Sequence, residues 1–241
     1  MEKASSGRTW HGRTRMATRN RAREATPVSP AALRASDKSS GPRSSKGVRT
    51  RERLVEAAKE VFEEQGFLEA RISDIAERAG QAHGSFYYYF DSKEEVFREV
   101  AAAVDKRLFA PLDDVIKAQS KLAPKQRVRE AMRRHFESYR QEARIMGLIE
   151  HVSRFDPEVN AIRLARHKRY TEQVAETIRQ LQKKKLADAT LDPLITAAAL
   201  GALTYRFAEM WLVHGAVDCT LEHAIEQVTQ IFSNALRLKE A

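Results

Sequence analysis

One cysteine, Cys219, stands in 241 residues. It excludes an internal disulfide and any thiolate metal cluster, and it reads as a small apolar residue at a helix start. Glycine is scarce in the C-terminal part, where only Gly147, Gly201 and Gly215 follow Gly84. No sustained two-residue alternation of apolar and polar side chains occurs there, so the region is expected to be helical. No apolar run approaches the ~18 residues that a membrane span needs, and no membrane partner is expected. The arginine-rich N-terminus lacks the apolar segment of a secretory signal. The histidines, at 11, 83, 135, 151, 167, 214 and 223, show no metal-ligand spacing. A glycine-rich phosphate loop, a nucleophile elbow and a paired-carboxylate motif are likewise missing. Neither catalytic residues nor a metal nor a cofactor is expected, and the chain does not read as an enzyme.

What is present is positive charge in one place. The formal net charge is +9. Residues 1–50 hold 12 Lys or Arg against 3 Asp or Glu, and the remainder holds 30 of each sign, so the whole excess lies in the first 50 residues. That stretch is rich in Arg, Ser, Thr, Gly and Pro, with Trp10 its only large aromatic. It cannot bury enough apolar surface to offset its ordering entropy, so residues 1–46 are expected to be a disordered basic arm. Such an arm beside a DNA-binding element would add counterion-release affinity without selectivity. A solubilising tail, or a true start at Met16, are the plainer readings.

The chain is organised around Ile72 to Lys93. Ile72, Ile75, Ala76 and Ala79 recur on one face of a helix, and Gly80 can end it in a left-handed conformation. A second helix is expected near Ala82, with Phe86 and Phe90 inward. Two short helices at a glycine corner make a helix-turn-helix, whose second helix can enter a major groove. His83, Gly84, Ser85, Tyr87, Tyr88 and Tyr89 dress that helix with polar groups suited to phosphate oxygens and base edges. The plainer alternative is that Tyr88 or Tyr89 packs against neighbouring helices. Before the unit, Leu54, Val55, Ala58, Val61 and Phe62 form a stripe that Gly66 closes. Thr50 and Arg51 are placed at the N-terminal end of that first helix, where backbone N–H groups favour a phosphate. After the unit, Ser92 and Glu95 are spaced as a capping box. Lys93 lies in the first turn, where the helix dipole disfavours a cation, and a nearby phosphate would explain it.

The run I-x-D-I-A-x-x-A-G-x-x-x-G-S-x-Y-x-Y-F-x-S-K resembles the signature of the tetracycline-repressor (TetR) family. The resemblance spans Val48 to Asp105. It implies a homodimeric, all-helical, ligand-responsive transcription regulator, bacterial, cytoplasmic and nucleoid-associated. Arg71 stands where the family usually has Thr, Gln81 where it has Val, and Ala82 where it has Ser or Thr. The last change removes an N-cap worth about 1 kcal/mol. These departures bear on the operator sequence rather than the fold. The DNA-binding set is then Thr50, Arg51, Arg71, Ser73, His83, Gly84, Ser85, Tyr87, Tyr88, Tyr89 and Lys93. Tyr87 and Lys93 are assigned to phosphates, and Ser73, His83 and Tyr88 to base edges.

The expected fold is all-α: a three-helix DNA-binding domain over 47–108 and a helical ligand-binding and dimerisation domain over 109–241. A fourth helix runs from Lys93 towards Pro111. Further helices are expected at 125–142, 144–154, 157–186, 193–214 and 220–238, with Asp156-Pro157 and Asp192-Pro193 as N-cap and first-turn pairs. Leu194 to Trp211 is apolar on nearly every side, so a second copy is the economical cover, through 193–214 and 220–238. A cavity for a small apolar or amphipathic effector is expected among Phe109, Phe136, Tyr139, Met146, Ile149, Phe155, Tyr170, Val174, Tyr205 and Met210. The partners are thus double-stranded DNA carrying a palindromic operator, a second copy and the effector. The alternative is a ligand-independent, architectural DNA binder that uses the basic arm.

Overall fold

The computed structural model describes residues 44–117 and 122–239, with the side chains of 114, 116 and 117 excepted. The expected basic arm, apart from its last residues, lies outside them. All regular secondary structure among the described residues is helical, in the order α1 Ser45–Glu69, α2 Ile72–Arg78, α3 His83–Phe86, α4 Lys93–Lys117, α5 Pro124–Gln141, α6 Ala143–Val152, α7 Pro157–Lys183, α8 Pro193–Leu212 and α9 Leu221–Leu236.

The reading unit is built on the expected apolar faces. Leu54, Ala58, Val61 and Phe62 of α1 close over Ile75 and Ala76 of α2, Phe86, Phe90 and the α4 residues Val96, Phe97 and Val100, all essentially without solvent exposure. Phe62 and Phe67 meet Phe97 edge-on, with centroids 5.0 and 4.9 Å apart. Gly80 makes the corner. At φ 65° it lets its own N–H donate to the Glu77 carbonyl, while the Gln81 N–H donates to Ala76, both at 2.9 Å. These are the paired bonds of a Schellman ending, and the left-handed residue they require is most easily glycine. Gly66, at φ 80° and ψ 168°, interrupts α1 with another backbone conformation that favours glycine, after which a last turn continues to Glu69.

Two expectations about ends are corrected. The first helix starts at Ser45, capped by the Ser44 hydroxyl, which accepts the Gly47 N–H at 3.1 Å. Thr50 and Arg51 therefore lie in its second turn and not at its N-terminus. Hydrophobic periodicity begins only at Leu54, so the polar first turns were invisible to it. The fourth helix does not stop near Pro111 but carries that proline inside and runs to Lys117, across the boundary placed at 108/109. Pro111 cannot donate to the carbonyl one turn back. Burial of Leu108, Leu112 and Val115 nonetheless holds the helix against its neighbours, and Arg134 donates to the Pro111 carbonyl at 3.0 Å.

The other helices fall within a few residues of expectation. Asp156 and Asp192 do cap α7 and α8, accepting Val159 N–H at 3.1 Å and Ile195 N–H at 2.8 Å. Ser92 accepts the Glu95 N–H at 3.1 Å, while Glu95 reaches back to the Asp91 N–H at 2.6 Å.

Ionic contacts tie α1 and α4 to the helices that follow. Glu142, buried at the α5–α6 junction, lies 3.3 Å from Lys59 of α1 and 2.8 Å from Arg107 of α4. Arg98 of α4 donates to Asp156 at 3.2 and 3.0 Å and pairs with Glu158 at 2.9 Å. The α7 cap is thus held by the same helix that carries the reading unit. Arg98 and the backbone N–H groups of Val159 and Glu158 keep the Asp156 carboxyl below the usual range, against the opposing effect of burial.

Candidate nucleic-acid interface and internal cavity

Around α2 and α3, Arg71, Ser73, His83, Gly84, Tyr87 and Tyr88 are exposed, Tyr88 at 76%. Ser85 and Tyr89 are half-buried. His83 meets Tyr87 edge-on at 5.5 Å, and Tyr88 meets Tyr89 at 5.0 Å, so the polar rings brace one another before any ligand arrives. No side chain caps α3 at Ala82, in keeping with the missing Ser or Thr. The helix is one turn long, followed by turn structure through Tyr89. Ser73 donates to Asp74 at 2.9 Å, which leaves its oxygen lone pairs outward.

Three members of the sequence-derived set face inward in this structure. Thr50 is buried and donates to the Lys46 carbonyl at 3.0 Å. Arg51 donates to Glu99 at 2.9 Å and lies 4.7 Å over the Phe90 ring, locking the approach to α4. Lys93 donates to the carbonyls of Leu68 and Ala70 at 2.9 and 3.0 Å and sits 5.1 Å over Phe67. Those carbonyls account for a cation in the first turn without invoking a phosphate. Conversely, Lys46, Arg49 and Arg53 of α1 are exposed and make no ion pair among the described residues. They precede or flank the apolar stripe and so carry no periodic signal in the sequence.

Behind the reading unit, α4–α9 line a cavity of about 910 Å³ that opens to solvent beside Leu164, Ala198 and Ala202. Of the ten expected lining residues, Phe109, Tyr170, Val174 and Tyr205 do line it. Phe136, Tyr139, Met146 and Ile149 do not; they are buried core behind the wall. Phe155 is mostly exposed and reaches Phe67, with centroids 6.2 Å apart, and Met210 is half-buried outside the cavity. Aromatic and methionine residues at helical spacing fill core as readily as they line a pocket, and spacing cannot separate the two.

Sequence reasoning also missed the polar half of the wall: His135, Glu150, Arg163, His167 and Glu209. Glu150 accepts Arg163 at 2.8 Å and the Tyr205 hydroxyl. Glu209 accepts Arg206 at 2.7 Å and lies 3.3 Å from His214. Arg166 is almost wholly buried, 5.6 Å from the Phe109 ring and 5.1 Å from that of Tyr205, with Nε 3.5 Å from Asp105. For Arg163, Arg166 and His167 the sequence signal is a run of charge on α7, which more often marks a solvated face; His135, Glu150 and Glu209 stand on other helices without one.

Burial, aided by Arg166, pushes His135 down to about 4, and burial with Arg166 and Arg163 does the same to His167. An unfolded histidine takes its proton near pH 6.5, so between 6.5 and 4 the unfolded chain binds more protons and stability falls with falling pH. At about 1.36 kcal/mol per unit, His135 is expected to cost about 2 kcal/mol at pH 5 relative to pH 7. His167 is half-exposed and adds less. Melting curves at the two pH values should differ by roughly 4–8 °C, and His135→Gln should flatten that difference. An unchanged slope in the variant would remove His135 as its source.

These helices and this exposed surface define an all-helical DNA-binding protein of the helix-turn-helix class. Residues 54–100 match the sequence model of the bacterial regulatory proteins, tetR family. It is similar to the uncharacterized HTH-type transcriptional regulator YdgC of Bacillus subtilis, 44% identical over 64 residues, 27% of this chain and only 33% of that protein. It is 27% identical to the HTH-type transcriptional regulator UidR of Escherichia coli K12 over 65% of this chain and 78% of that one. A putative TetR-family transcriptional regulator of Mesorhizobium loti shares the fold, with a TM-score of 0.69 and 18% identity over 80% of this chain and 98% of the other. The helix-turn-helix region is thus of the kind that HTH-type transcriptional regulators carry. No helix among the described residues is long and apolar enough to cross a membrane, and among them no group of His, Cys, Asp or Glu is placed to hold a metal ion.

Proposed function

We propose that the protein is a cytoplasmic repressor that leaves its operator when a small ligand fills the α4–α9 cavity. The observation that carries this is the double duty of α4. Its first turns, with Val96 and Phe97, floor the reading unit, and its later turns place Phe109 in the cavity wall. Through Arg98 it also holds the cap of α7, whose residues Asn160, Arg163 and His167 line the same cavity. A ligand that prefers a shifted α4 moves α3 with it, by no more than its differential affinity for the two states.

The reading has a partner in a second copy. Leu194, Ile195 and Leu203 of α8 are exposed, with Ala198, Ala199 and Ala202 between them, while α9 exposes Ile231 and Ala235. A twofold dimer through α8 and α9 would cover this face, close one side of the cavity at Ala198 and Ala202, and fix the separation of two α3 helices at one DNA turn, about 34–36 Å. On this reading Arg71, Ser73, His83, Gly84, Ser85, Tyr87, Tyr88 and Tyr89 meet DNA, joined by Lys46, Arg49 and Arg53 on phosphates.

The test is a gel shift with the DNA flanking the protein's own gene, in excess competitor. Tyr88→Ala should lose about 1–3 kcal/mol of operator affinity and relax discrimination between sites, while Arg49→Ala should weaken all sequences alike and reduce the salt slope by about one. Equal affinity for operator and random DNA at all salt concentrations would leave the architectural reading in its place.

A further inference from the structure

The cavity wall changes character along α7. Asn160, Arg163, Leu164 and His167 face it first, then Tyr170 and Val174. Tyr170 and Val174 also open on a narrow neighbouring slot, where α7 continues with Thr177, Ile178 and Leu181 against Val115 and Leu200. At 1.5 Å per residue, Tyr170 to Leu181 is an apolar wall about 16 Å long.

At and behind this wall, buried polar donors lack a hydrogen-bond partner on three residues, Arg166 (Nε and Nη2), His135 (Nε2) and Tyr139 (the hydroxyl), with Asp105 Oδ1 an unpartnered acceptor beside Arg166. Arg166 and His135 are 3% and 5% exposed, and Tyr139 is fully buried. They are neighbours, since His135 and Tyr139 have ring centroids 5.9 Å apart and Tyr205 lies 5.9 Å from Tyr139 and 5.1 Å from the Arg166 guanidinium. Arg166 can only donate, and neutral His135 and Tyr139 can each donate as well. A buried donor left unmade is costly, so three together mark a missing acceptor.

The acids of the wall are not in that position. Glu150 and Glu209 are already engaged by Arg163, Tyr205, Arg206 and His214. Asp105 pairs with Arg169 through Oδ2 at 3.1 Å, while its Oδ1 stands 3.5 Å from Arg166 Nε without a hydrogen bond, one acceptor for several donors. In the lining itself three arginines, Arg154, Arg163 and Arg206, stand against two glutamates. The balance favours an anion over a cation.

We infer that the cavity takes an amphipathic monocarboxylate, its head accepting from Arg166, His135 and Tyr139 and its apolar part lying along Tyr170 and Val174 towards the slot. The inference rests on the cavity being the effector site. Of the three only His135 lines the cavity; Arg166 lies under the rings of Phe109 and Tyr205, and Tyr139 lies behind Tyr205, so the carboxylate reaches them by turning one of those rings aside. Phe109 belongs to α4, which ties head-group recognition to the helix that carries the reading unit.

The test is calorimetric titration of the full chain with octanoate, octan-1-ol and octylamine, which share a tail and differ in the head. Octanoate is expected to bind about tenfold or more tighter than either, as hydrogen bonds to a charged acceptor imply. Arg166→Met should abolish that preference. Tyr139→Phe, which removes only an unpartnered hydroxyl, should weaken octanoate severalfold and leave octanol unchanged; it decides the matter if Arg166→Met does not fold. Tighter binding of the alcohol or the amine, no binding of any probe, or octanoate binding indifferent to the variants overturns the carboxylate assignment. Octanoate binding with the expected pattern but no change in operator affinity upholds the assignment and defeats the release mechanism instead.

Discussion

Replacing Phe86 by alanine should destabilise the protein by about 3–5 kcal/mol, the cost of emptying a fully buried phenyl site. Phe86 has no solvent exposure and contacts Phe90 at 5.6 Å, and it is the only buried residue of the four in α3. A helix of one turn has no stability of its own. Its position is set by this side chain and by the Gly80 corner. The melting temperature should fall by roughly 6–20 °C, and operator binding should fail because His83, Tyr87 and Tyr88 lose their fixed placement. Tyr88→Ala is the contrast. Its side chain is exposed, so stability should stay within about 0.5 kcal/mol while DNA affinity drops. Parallel melting and gel-shift measurements on the two variants separate holding the helix from reading with it. A Phe86→Ala protein that melts with the parent would show that α3 is held by something else.

Placing an arginine at Ala199 should have the largest effect on DNA binding. Ala199 is exposed on the α8 face between Ile195 and Leu203. If that face meets its twin, two guanidinium groups are forced together beside the axis, bulky and alike in charge. The proposed dimer should then dissociate. Two half-sites gripped independently lose the effective concentration that linkage provides, typically a factor of about 10²–10⁴. Sedimentation should show a monomer, and operator affinity should fall by that factor while binding to a single half-site persists. A monomeric parent, or an Ala199→Arg protein that remains a tight operator binder, would take the α8 face out of the assembly.

The sequence by itself settled the local decisions. Glycine at 80, the periodic apolar faces of α1, α2 and α4, and the Asp-Pro starts of α7 and α8 act within a turn or two of chain, and each appeared as read. It also placed Tyr87, Tyr88 and His83 outward, because so small a unit cannot bury them. Direction across long sequence distances was different. Arg51, Lys93 and Arg166 are all cations on helices, and nothing local says that one meets Glu99, one the Leu68 and Ala70 carbonyls, and one Asp105. Tyr139 and Tyr170 are alike in sequence, yet one is core and the other cavity wall, since the angle at which α5 and α7 pack decides which face is covered. The continuation of α4 through Pro111 belongs to the same class: local chemistry argues for a break, and burial of Leu108, Leu112 and Val115 overrules it. Short-range rules fix elements and caps. Only tertiary packing decides which polar groups find partners and which, like His135 Nε2 and Arg166 Nη2, are left without one.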